Sequence, residues 1–399
     1  MKLIENYSLT SGQKIKNIDI IEKFYPLNIE KYILFQPFSK PSKSYGLWCD
    51  VLDILQPILK ENGYSIVQVG LNSEPLLPNC IDLRNKTTIN QCAYLVHNAE
   101  LILAADSFCS HLAGRYNKNL VVLISNNYSE CVRPYFGDKN KQIILEPDRT
   151  KRKPSFSLEE GQKKQIDEIK TEDIASAVCK LLGLSFNFEY ETLFVGDIYQ
   201  SKILEVTAHG VTDVRNLGTD SIIIRLDYEF NEEILRHQME HCPVTIVTDK
   251  PINLELLKAY KQRIKQIFYI ITENNDPAFA LGVTRLGLPI HMFSYLSEEK
   301  LNTYKLNYLD IAPIFRKEVK TRAQIKEIQG VPTDQLFYKS SKHLLAKGKI
   351  FPSKAAYLSD LPNSTINEIC PIIDNDEFFN DSEYMVIFRK KTVLELTKP

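Results

Sequence analysis

The segment Leu101-Ile102-Leu103-Ala104-Ala105-Asp106-Ser107-Phe108-Cys109-Ser110-His111-Leu112-Ala113-Gly114 decides how we interpret the fold. Its first five residues are all apolar and predict a buried strand, and the residues after Ser107 predict a helix that begins at once. Asp106 and Ser107 therefore stand at the carboxyl end of the strand. In open α/β sheets this edge is where ligands bind.

The same alternation of short apolar runs and amphipathic stretches continues on both sides of this segment. Gly63 and Gly183 close two of the predicted helices, as glycine does at helix C-termini. Strands of about five residues alternating with helices predict a parallel sheet covered on both faces. The predicted strands are 32–36, 65–70, 101–105 and 120–125, and the predicted helices are 47–62, 89–97 and 171–182, with 106–114 predicted as a turn that leads into a helix.

A second alternating series of strands and helices follows between residues 192 and 306, and the tail mixes a charged helix with short aromatic strands. We therefore predict an α/β chain with two Rossmann-like parallel-sheet domains and a small C-terminal α+β module. The predicted boundaries are 1–30 for an N-terminal arm or first helix, 31–185 and 186–315 for the two α/β domains, and 316–399 for the module.

Composition limits the classes of partner and compartment. The 399 residues are 44% hydrophobic and 25% charged, with a formal net charge of −1, so a nucleic acid would need a local basic patch. The eight cysteines form no CxxC pair, the N-terminus has no apolar leader, and no apolar run reaches the ~18 residues that a membrane span needs. We expect a cytoplasmic protein without a membrane span, and a homo-oligomer is compatible with the sequence.

Elementary chemistry suggests an anion site at the start of the central helix. The first turn of a helix offers free N–H groups and a positive dipole end, which suits a diphosphate. Ser107 adds a hydroxyl donor, and His111 stands one helical turn further on. The alternative is structural, because Asp and Ser are also ordinary N-cap residues and a helical His is often satisfied locally.

The order of these motifs resembles family 9 glycosyltransferases, the ADP-heptose:lipopolysaccharide heptosyltransferase group, over about residues 32–184. The resemblance is carried by a lysine-containing loop and a tryptophan-containing helix after the first strand, by a glycine-ended strand with an acidic residue after it, and by the central segment. These residues are Lys40, Lys43, Trp48, Gly70, Glu74, Asp82-Leu83-Arg84, the run Thr87 to Val96, and Asp106-Ser107-x-x-x-His111-Leu112-Ala113.

This resemblance implies a GT-B-like fold whose donor-binding half comes first, so that the domain order would be rearranged. It implies that Asp106, Ser107 and His111 hold the diphosphate of a nucleotide-sugar donor. Lys40 or Lys43 would offset phosphate charge, and Glu74 would hold ribose hydroxyls. No cofactor and no metal ion is expected, because the helix terminus and a lysine can offset the leaving diphosphate.

Two departures from the family pattern leave the chemistry open. Phe108 stands where the family usually has a small residue, and only about 30 residues precede the donor-binding half. The catalytic base therefore cannot be transferred from the family. Asp197, His209 and Asp227 are candidate bases because they stand near predicted strand ends, although such residues are commonly turn or capping residues.

Two further motifs have structural alternatives. His237 and His241 lie four residues apart on a predicted helix, but no glutamate of the HExxH pattern stands between them and no third ligand is evident. The basic residues Lys151-Arg152-Lys153 and Lys163-Lys164 would either contact an anionic acceptor or form a solvated loop.

The leading hypothesis is a glycosyltransferase that moves a sugar from a nucleoside-diphosphate sugar to an acceptor hydroxyl. The acceptor would be a glycan, a lipid-linked saccharide or a modified nucleic-acid base. One alternative is a non-catalytic binding or scaffold protein that keeps the fold. Another is a nucleotide-sugar epimerase or hydrolase.

Overall fold

The computed structural model describes residues 2–17, 19–150, 152–154, 164–195, 203–213, 221–317, 330–365, 368–373, 375, 377–378 and 384–391. The chain divides into two compact units. Unit 1 comprises Met1–Gln200 and Ile387–Pro399, and unit 2 comprises Ser201–Val386. The predicted class, an α/β chain with two Rossmann-like parallel sheets, is confirmed.

Unit 1 is built on a six-stranded sheet in which every pair of neighbours is parallel. The strands are β1 (Tyr32–Gln36), β2 (Ser65–Gln68), β3 (Ile81–Asp82), β4 (Leu101–Ala105), β5 (Asn119–Leu123) and β6 (Gln142–Leu145). Their order across the sheet is β3-β2-β1-β4-β5-β6. The order reverses between β1 and β4, which is the point where Rossmann-type sheets bind ligands.

The helices of unit 1 are α1 (Leu3–Ser11), α2 (Trp48–Glu61), α3 (Ile89–Asn98), α4 (Phe108–Arg115), α5 (Ser129–Val132) and α6 (Thr171–Leu182). Thr88 caps α3 through a hydrogen bond from the Gln91 N–H. Gly183 ends α6 in the left-handed conformation that the sequence predicted. A further strand, β7 (Tyr190–Val195), follows α6.

The burial of the central strands in unit 1 explains why their sequences are apolar. All five residues of β4 are buried, because helices or loops cover both faces of the sheet. The apolar side chains of α3 and α4 pack into the same core cluster as those of β1 and β4. Core packing therefore holds the central segment in place, and the carboxyl end of β4 lies at the edge of the sheet.

Unit 2 holds an eight-stranded sheet of order β13-β12-β11-β10-β9-β8-β15-β16. Its strands are β8 (Ile203–Thr207), β9 (Ile222–Arg225), β10 (Val244–Thr248), β11 (Ile264–Ile270), β12 (Ile290–Ser294), β13 (Ile314–Arg316), β14 (Leu336–Ser340), which lies outside this sheet, β15 (Lys342–Ala346) and β16 (Lys349–Phe351). The strands from β8 to β13 are parallel and adjacent in chain order, whereas β15 returns to pair with β8 on its other side. The order of unit 2 thus reverses between β8 and β15.

The helices of unit 2 lie between these strands and after them. They are α7 (Glu232–His241), α8 (Leu254–Ala259), α9 (Pro277–Arg285), α10 (Glu298–Lys305) and α11 (Lys354–Leu358). The C-terminal segment contains both helix and strand, and its β15 and β16 extend the second sheet. The last strands are β17 (Cys370–Pro371), which pairs antiparallel with β14, and β18 (Met385–Lys390). In the described part of the chain, no helix has the length and apolarity that crossing a bilayer requires.

Candidate functional site

A cavity of about 460 Å³ opens in unit 1 at the carboxyl ends of β1 and β4. Its polar lining includes Lys43, from the loop after β1, and Asp106 and Ser107, which follow β4. Phe108 and His111 from α4 also line it. The central segment therefore faces a cavity, and the Phe108 ring, which is 40% exposed, forms part of the wall.

An ion pair forms the charged floor of this cavity. The Lys43 Nζ lies 2.5 Å from the Asp106 Oδ2 and 3.4 Å from the Asp106 carbonyl oxygen. The Asp106 side chain is only 7% exposed, whereas 21% of the Lys43 side chain remains accessible. The Lys43 ammonium thus pairs with Asp106 on one side, and its other side faces the cavity.

The first turn of α4 is held by a side chain from β1. The Gln36 Oε1 accepts hydrogen bonds from the Ser107 hydroxyl at 2.5 Å and from the Cys109 N–H at 3.1 Å. This contact fixes the turn against β1, and it engages two of the donors that the sequence suggested for a phosphate. Sequence analysis could not detect this contact, because Gln36 stands only as a polar residue at the end of a predicted strand.

His111 lies on the exposed face of α4 at the cavity wall. The surrounding atoms displace water from the imidazole and lower its pKa below the ordinary value of 6.5. The Lys43 ammonium lowers this pKa further, and the Asp106 carboxylate opposes both effects. His111 is consequently a neutral hydrogen-bonding group at neutral pH.

Arg133 is a cavity-lining cation that the sequence analysis missed. Arg133 follows α5, which is the next helix after β5. Strand β5 lies beside β4 in the sheet. Within the described ranges, its guanidinium has no hydrogen-bond or ion-pair partner, and it is half-buried. The rule that selected Asp106, a polar residue directly after a strand, does not select Arg133, which stands ten residues after the end of β5 and beyond α5.

A close contact between two backbones positions the segment that carries Arg133. A Cβ placed on Gly114 would lie 2.7 Å from the Phe136 carbonyl oxygen and 2.8 Å from the Pro134 Cβ. A Cβ on Gly137 would lie 2.7 Å from the Gly114 carbonyl oxygen. The sequence suggested close packing at Gly114, and the partner is the cavity-lining segment.

The loop that carries Lys43 is anchored by residues more than a hundred positions later in the chain. The Gly46 N–H donates to the Asp167 carboxylate at 2.7 Å, and the Tyr45 hydroxyl donates to the Ile169 carbonyl at 2.7 Å. Lys164, which the sequence placed in a basic run, is 7% exposed and donates to the Ser44 carbonyl oxygen. Burial lowers the pKa of Lys164, and Asp167 opposes that effect. Lys164 is therefore a buried structural group, while Lys151 and Lys163 lie outside the described residues.

Two other predicted donor-site residues do not line the cavity. Lys40 is exposed and stands just before a short 3-10 helix, Pro41–Lys43. The Glu74 carboxylate accepts a hydrogen bond from the Leu71 N–H at 3.0 Å. It lies so close to Gly70 that a Cβ there would meet its Oε2 at 2.0 Å. Of the two lysines, Lys43 lines the cavity and Lys40 does not, and the Glu74 carboxylate is engaged within its own turn.

The three candidate bases have separate surroundings. Asp197 lies outside the described residues. His209 is exposed, with its Nδ1 3.3 Å from a Glu229 carboxylate oxygen. Asp227 accepts hydrogen bonds at 2.8 and 2.7 Å from the Nε and Nη2 of Arg225, and its side chain is 7% exposed.

The pair of histidines on α7 is held by local contacts. The His241 Nδ1 lies 2.8 Å from the His237 carbonyl oxygen, and the His237 Nε2 lies 3.1 Å from an Arg236 guanidinium nitrogen. Over the part of the chain that the structure describes, no group of three His, Cys, Asp or Glu side chains is arranged to hold a metal ion.

A second cavity, of about 560 Å³, lies at the carboxyl edge of the sheet in unit 2. Its charged lining comprises Asp249, Asp276 and Lys250. Burial raises the pKa of Asp249, and the nearby Asp227 carboxylate raises it further. The excess of carboxylates makes this cavity a poor site for an anion.

The fold and the first cavity together define a Rossmann-like α/β protein with a cavity at the carboxyl edge of its first sheet. Comparisons with protein-family models and with curated proteins give no match. Among solved structures, the chain is similar to E. coli ADP-heptose LPS heptosyltransferase II, at 19% identity over 39% of this chain and 47% of that chain, with a TM-score of 0.31.

Two further solved structures show the same partial likeness. A family 9 glycosyltransferase from Veillonella parvula is 18% identical over 45% of this chain and 50% of its own, with a TM-score of 0.31. The dodecameric glycosyltransferase TibC from enterotoxigenic E. coli is 12% identical over 42% of this chain and 50% of its own, with a TM-score of 0.33.

The chain thus spans about half the length of the solved structures it matches. The predicted resemblance is confirmed as a structural similarity over part of the chain. At such low identities and TM-scores, the likeness concerns the fold and says nothing about activity.

Proposed function

We propose that the cavity of unit 1 binds a nucleoside-diphosphate sugar and that the protein transfers the sugar to an acceptor hydroxyl. The observation that carries this proposal is the meeting of Lys43, Arg133 and the N-terminus of α4 at one cavity where the strand order reverses. Two cations and a helix N-terminus form a suitable environment for a diphosphate. The apolar remainder of the lining suits the less polar part of such a ligand.

The proposed reaction is an inverting transfer. An acceptor oxygen bonds to the anomeric carbon of the sugar while the bond from that carbon to the diphosphate oxygen breaks. The electron pair of that bond leaves with the nucleoside diphosphate, and Lys43 and Arg133 offset the charge that develops there. The hydroxyl proton passes to a base, for which His209 and Asp197 are the proposals. Asp227 is the poorest candidate base because Arg225 occupies both of its carboxylate oxygens.

The acceptor in this proposal is a glycan, a lipid-linked saccharide or a modified nucleic-acid base. No metal ion is needed, because fixed cations take the role that a divalent ion would otherwise have. The site would then work in the presence of a chelator. A homo-oligomer remains a proposal for the assembly.

The test measures ligand affinity by calorimetry with ADP, UDP, GDP and CDP and their sugar conjugates. We expect at least one of them to bind, and Lys43→Ala and Arg133→Met each to weaken it about ten- to a hundredfold, as expected for losing a charge-assisted hydrogen bond. Lys40→Ala is the matched control, because Lys40 stands in the same loop but is exposed and absent from the cavity lining. A well-folded protein that binds none of these ligands, or equal losses in Lys40→Ala and Lys43→Ala, would contradict the proposal.

One observation favours a second candidate function, a binding module without catalysis. Gln36 already engages the Ser107 hydroxyl and the Cys109 N–H, so α4 has fewer donors left for a leaving diphosphate. A binding module would hold the nucleotide sugar and release no nucleoside diphosphate with any acceptor. A hydrolase would release it without an acceptor, so an assay for released diphosphate separates these cases.

A further inference from the structure

Helix α1 forms one wall of the cavity in unit 1. Leu3, Ile4 and Tyr7 line it together with Tyr135 and Phe136, which come from the segment behind α5. The Lys2 ammonium lies 4.7 Å from the centre of the Tyr135 ring, which is a cation–π contact between the start of α1 and that segment. The cavity thus has a polar floor at the strand ends and an apolar, aromatic upper part.

The helix has no buried side chain of its own. Leu3, Tyr7 and Leu9 are 44%, 61% and 73% exposed. A nine-residue helix is only marginally stable in water unless an apolar face packs on a neighbour. The side chains of α1 line the cavity but do not fill it.

The chain between α1 and the first strand is held on unit 1 by contacts of residues 20–29. The Glu22 carboxylate lies 3.0 Å from the His97 Nδ1, and the Phe24 ring packs edge-on against the Tyr94 ring at 5.3 Å. Ile20, Tyr25, Leu27 and Ile29 pack against the core of unit 1. The segment that follows α1 is thus anchored on α3 and on the core of unit 1.

The geometry points to α1 as the wall that holds the base of the nucleotide, with the base lying between α1 and the Tyr135–Phe136 segment. This inference rests on the proposed function, because it takes the ligand to be a nucleoside diphosphate. The diphosphate lies at the polar floor, near Lys43 and Arg133. The flat base fills the apolar space and gives α1 the contact surface that it lacks, so that ligand binding and docking of α1 stabilise each other.

The test compares nucleoside diphosphates with inorganic pyrophosphate, which has no base. We expect Tyr7→Ala to weaken binding of the preferred nucleoside diphosphate about tenfold, the size of one lost stacking contact, and to leave pyrophosphate affinity within about twofold. Deletion of residues 2–11 should weaken the nucleoside diphosphate by about as much or more, again without affecting pyrophosphate. Because α1 buries no side chain, the deletion variant should melt at the same temperature as the full chain.

Leu9→Ala is the matched control, since Leu9 lies on the same helix, is more exposed than Tyr7 and does not line the cavity. It should change neither affinity. A second measurement is amide hydrogen exchange in α1, which should slow when the nucleoside diphosphate is added and stay unchanged with pyrophosphate.

The outcomes separate the inference from the proposed function. If the full chain binds neither probe, the proposed function fails and the inference with it. If it binds pyrophosphate but no nucleoside diphosphate, the anion site stands and the inference is overturned. The inference is also overturned if Tyr7→Ala and the deletion variant bind the nucleoside diphosphate as the full chain does, or lose both probes equally.

Discussion

The two sheets place charged side chains differently at the point where each strand order reverses. In unit 1, Lys43, Asp106 and Arg133 face a cavity beside β1 and β4. In unit 2, the strands at the reversal are β15, β8 and β9, and they carry Lys342, Glu205 and Arg225.

The charges of unit 2 pair with one another. The Arg225 guanidinium lies 2.6 Å from the Glu205 Oε2, and the Lys342 Nζ lies 3.2 Å from the Glu205 Oε1. Their side chains are at most 11% exposed. The strands at a reversal of strand order can therefore carry charges that face a cavity, as after β1 and β4, or charges that pair within the fold, as on β8, β9 and β15. Partner and exposure, not residue type, distinguish the two cases.

The largest expected effect comes from removing the central cation of unit 2. Arg225→Met leaves the Glu205 and Asp227 carboxylates buried without their main partner. We expect the free energy of unfolding to fall by about 3–5 kcal/mol, measured by urea denaturation. Arg133→Met in unit 1 is the matched control and should change stability by less than about 0.5 kcal/mol, because that guanidinium has no partner within the described ranges. Equal losses in the two variants would remove the distinction between the two sheets.

A smaller effect is expected where two backbones meet beneath the cavity of unit 1. In Gly114→Ala, the added methyl group would push against the Phe136 carbonyl and Pro134. The free energy of unfolding should fall by about 1–3 kcal/mol, and nucleotide affinity should fall too, because the segment that carries Arg133 moves. Gly210→Ala is the control, since a Cβ there has no neighbour within 4 Å. A Gly114→Ala variant with unchanged stability and unchanged affinity would contradict the packing argument.

A third effect concerns pH. Neighbouring atoms that displace water from the imidazole hold the pKa of the free His111 below 6.5, and a bound anion raises it, so the complex takes up a proton in this range. Affinity for a nucleotide sugar, whose diester phosphates do not titrate there, should rise about two- to fivefold between pH 8 and pH 5.5. The variant His111→Gln should show a flat profile. If both proteins give the same profile, the proton resides on another group.

The smallest effect is expected at Ser107, one of the residues that the family resemblance placed on the diphosphate. The Ser107 hydroxyl donates to Gln36, so Ser107→Ala should lower nucleotide affinity less than about threefold. Gln36→Ala in the same titration tests whether the freed donors then serve the ligand, in which case affinity rises. A loss of a hundredfold in Ser107→Ala would instead place the hydroxyl on the phosphate.

The sequence predicted most of the regular structure of unit 1, because β4, α3 and the glycine after α6 have strong local signals. It also selected Asp106 and Lys43, since a strand end can be recognised from its apolar run. It could not distinguish Lys43 from Lys40, because the choice depends on which ammonium reaches Asp106 across 63 positions.

Contacts distant in sequence account for the other differences. The Arg225 guanidinium pairs with Asp227, two residues further on, and with Glu205, 20 positions earlier on β8, and the second contact is the one that the sequence could not show. The position of α1 at the cavity was equally hidden, because its apolar residues show little periodicity and line only the cavity.

The anchoring of the Lys43 loop by Asp167 and Ile169 has a consequence for biosynthesis. The strands β1 and β4 and most of the cavity lining leave the ribosome well before residue 169 does. Until then the nascent chain lacks the two hydrogen bonds that hold Tyr45 and Gly46 in place. Competence to bind a ligand should therefore arise late in translation, after the start of α6 has emerged and docked.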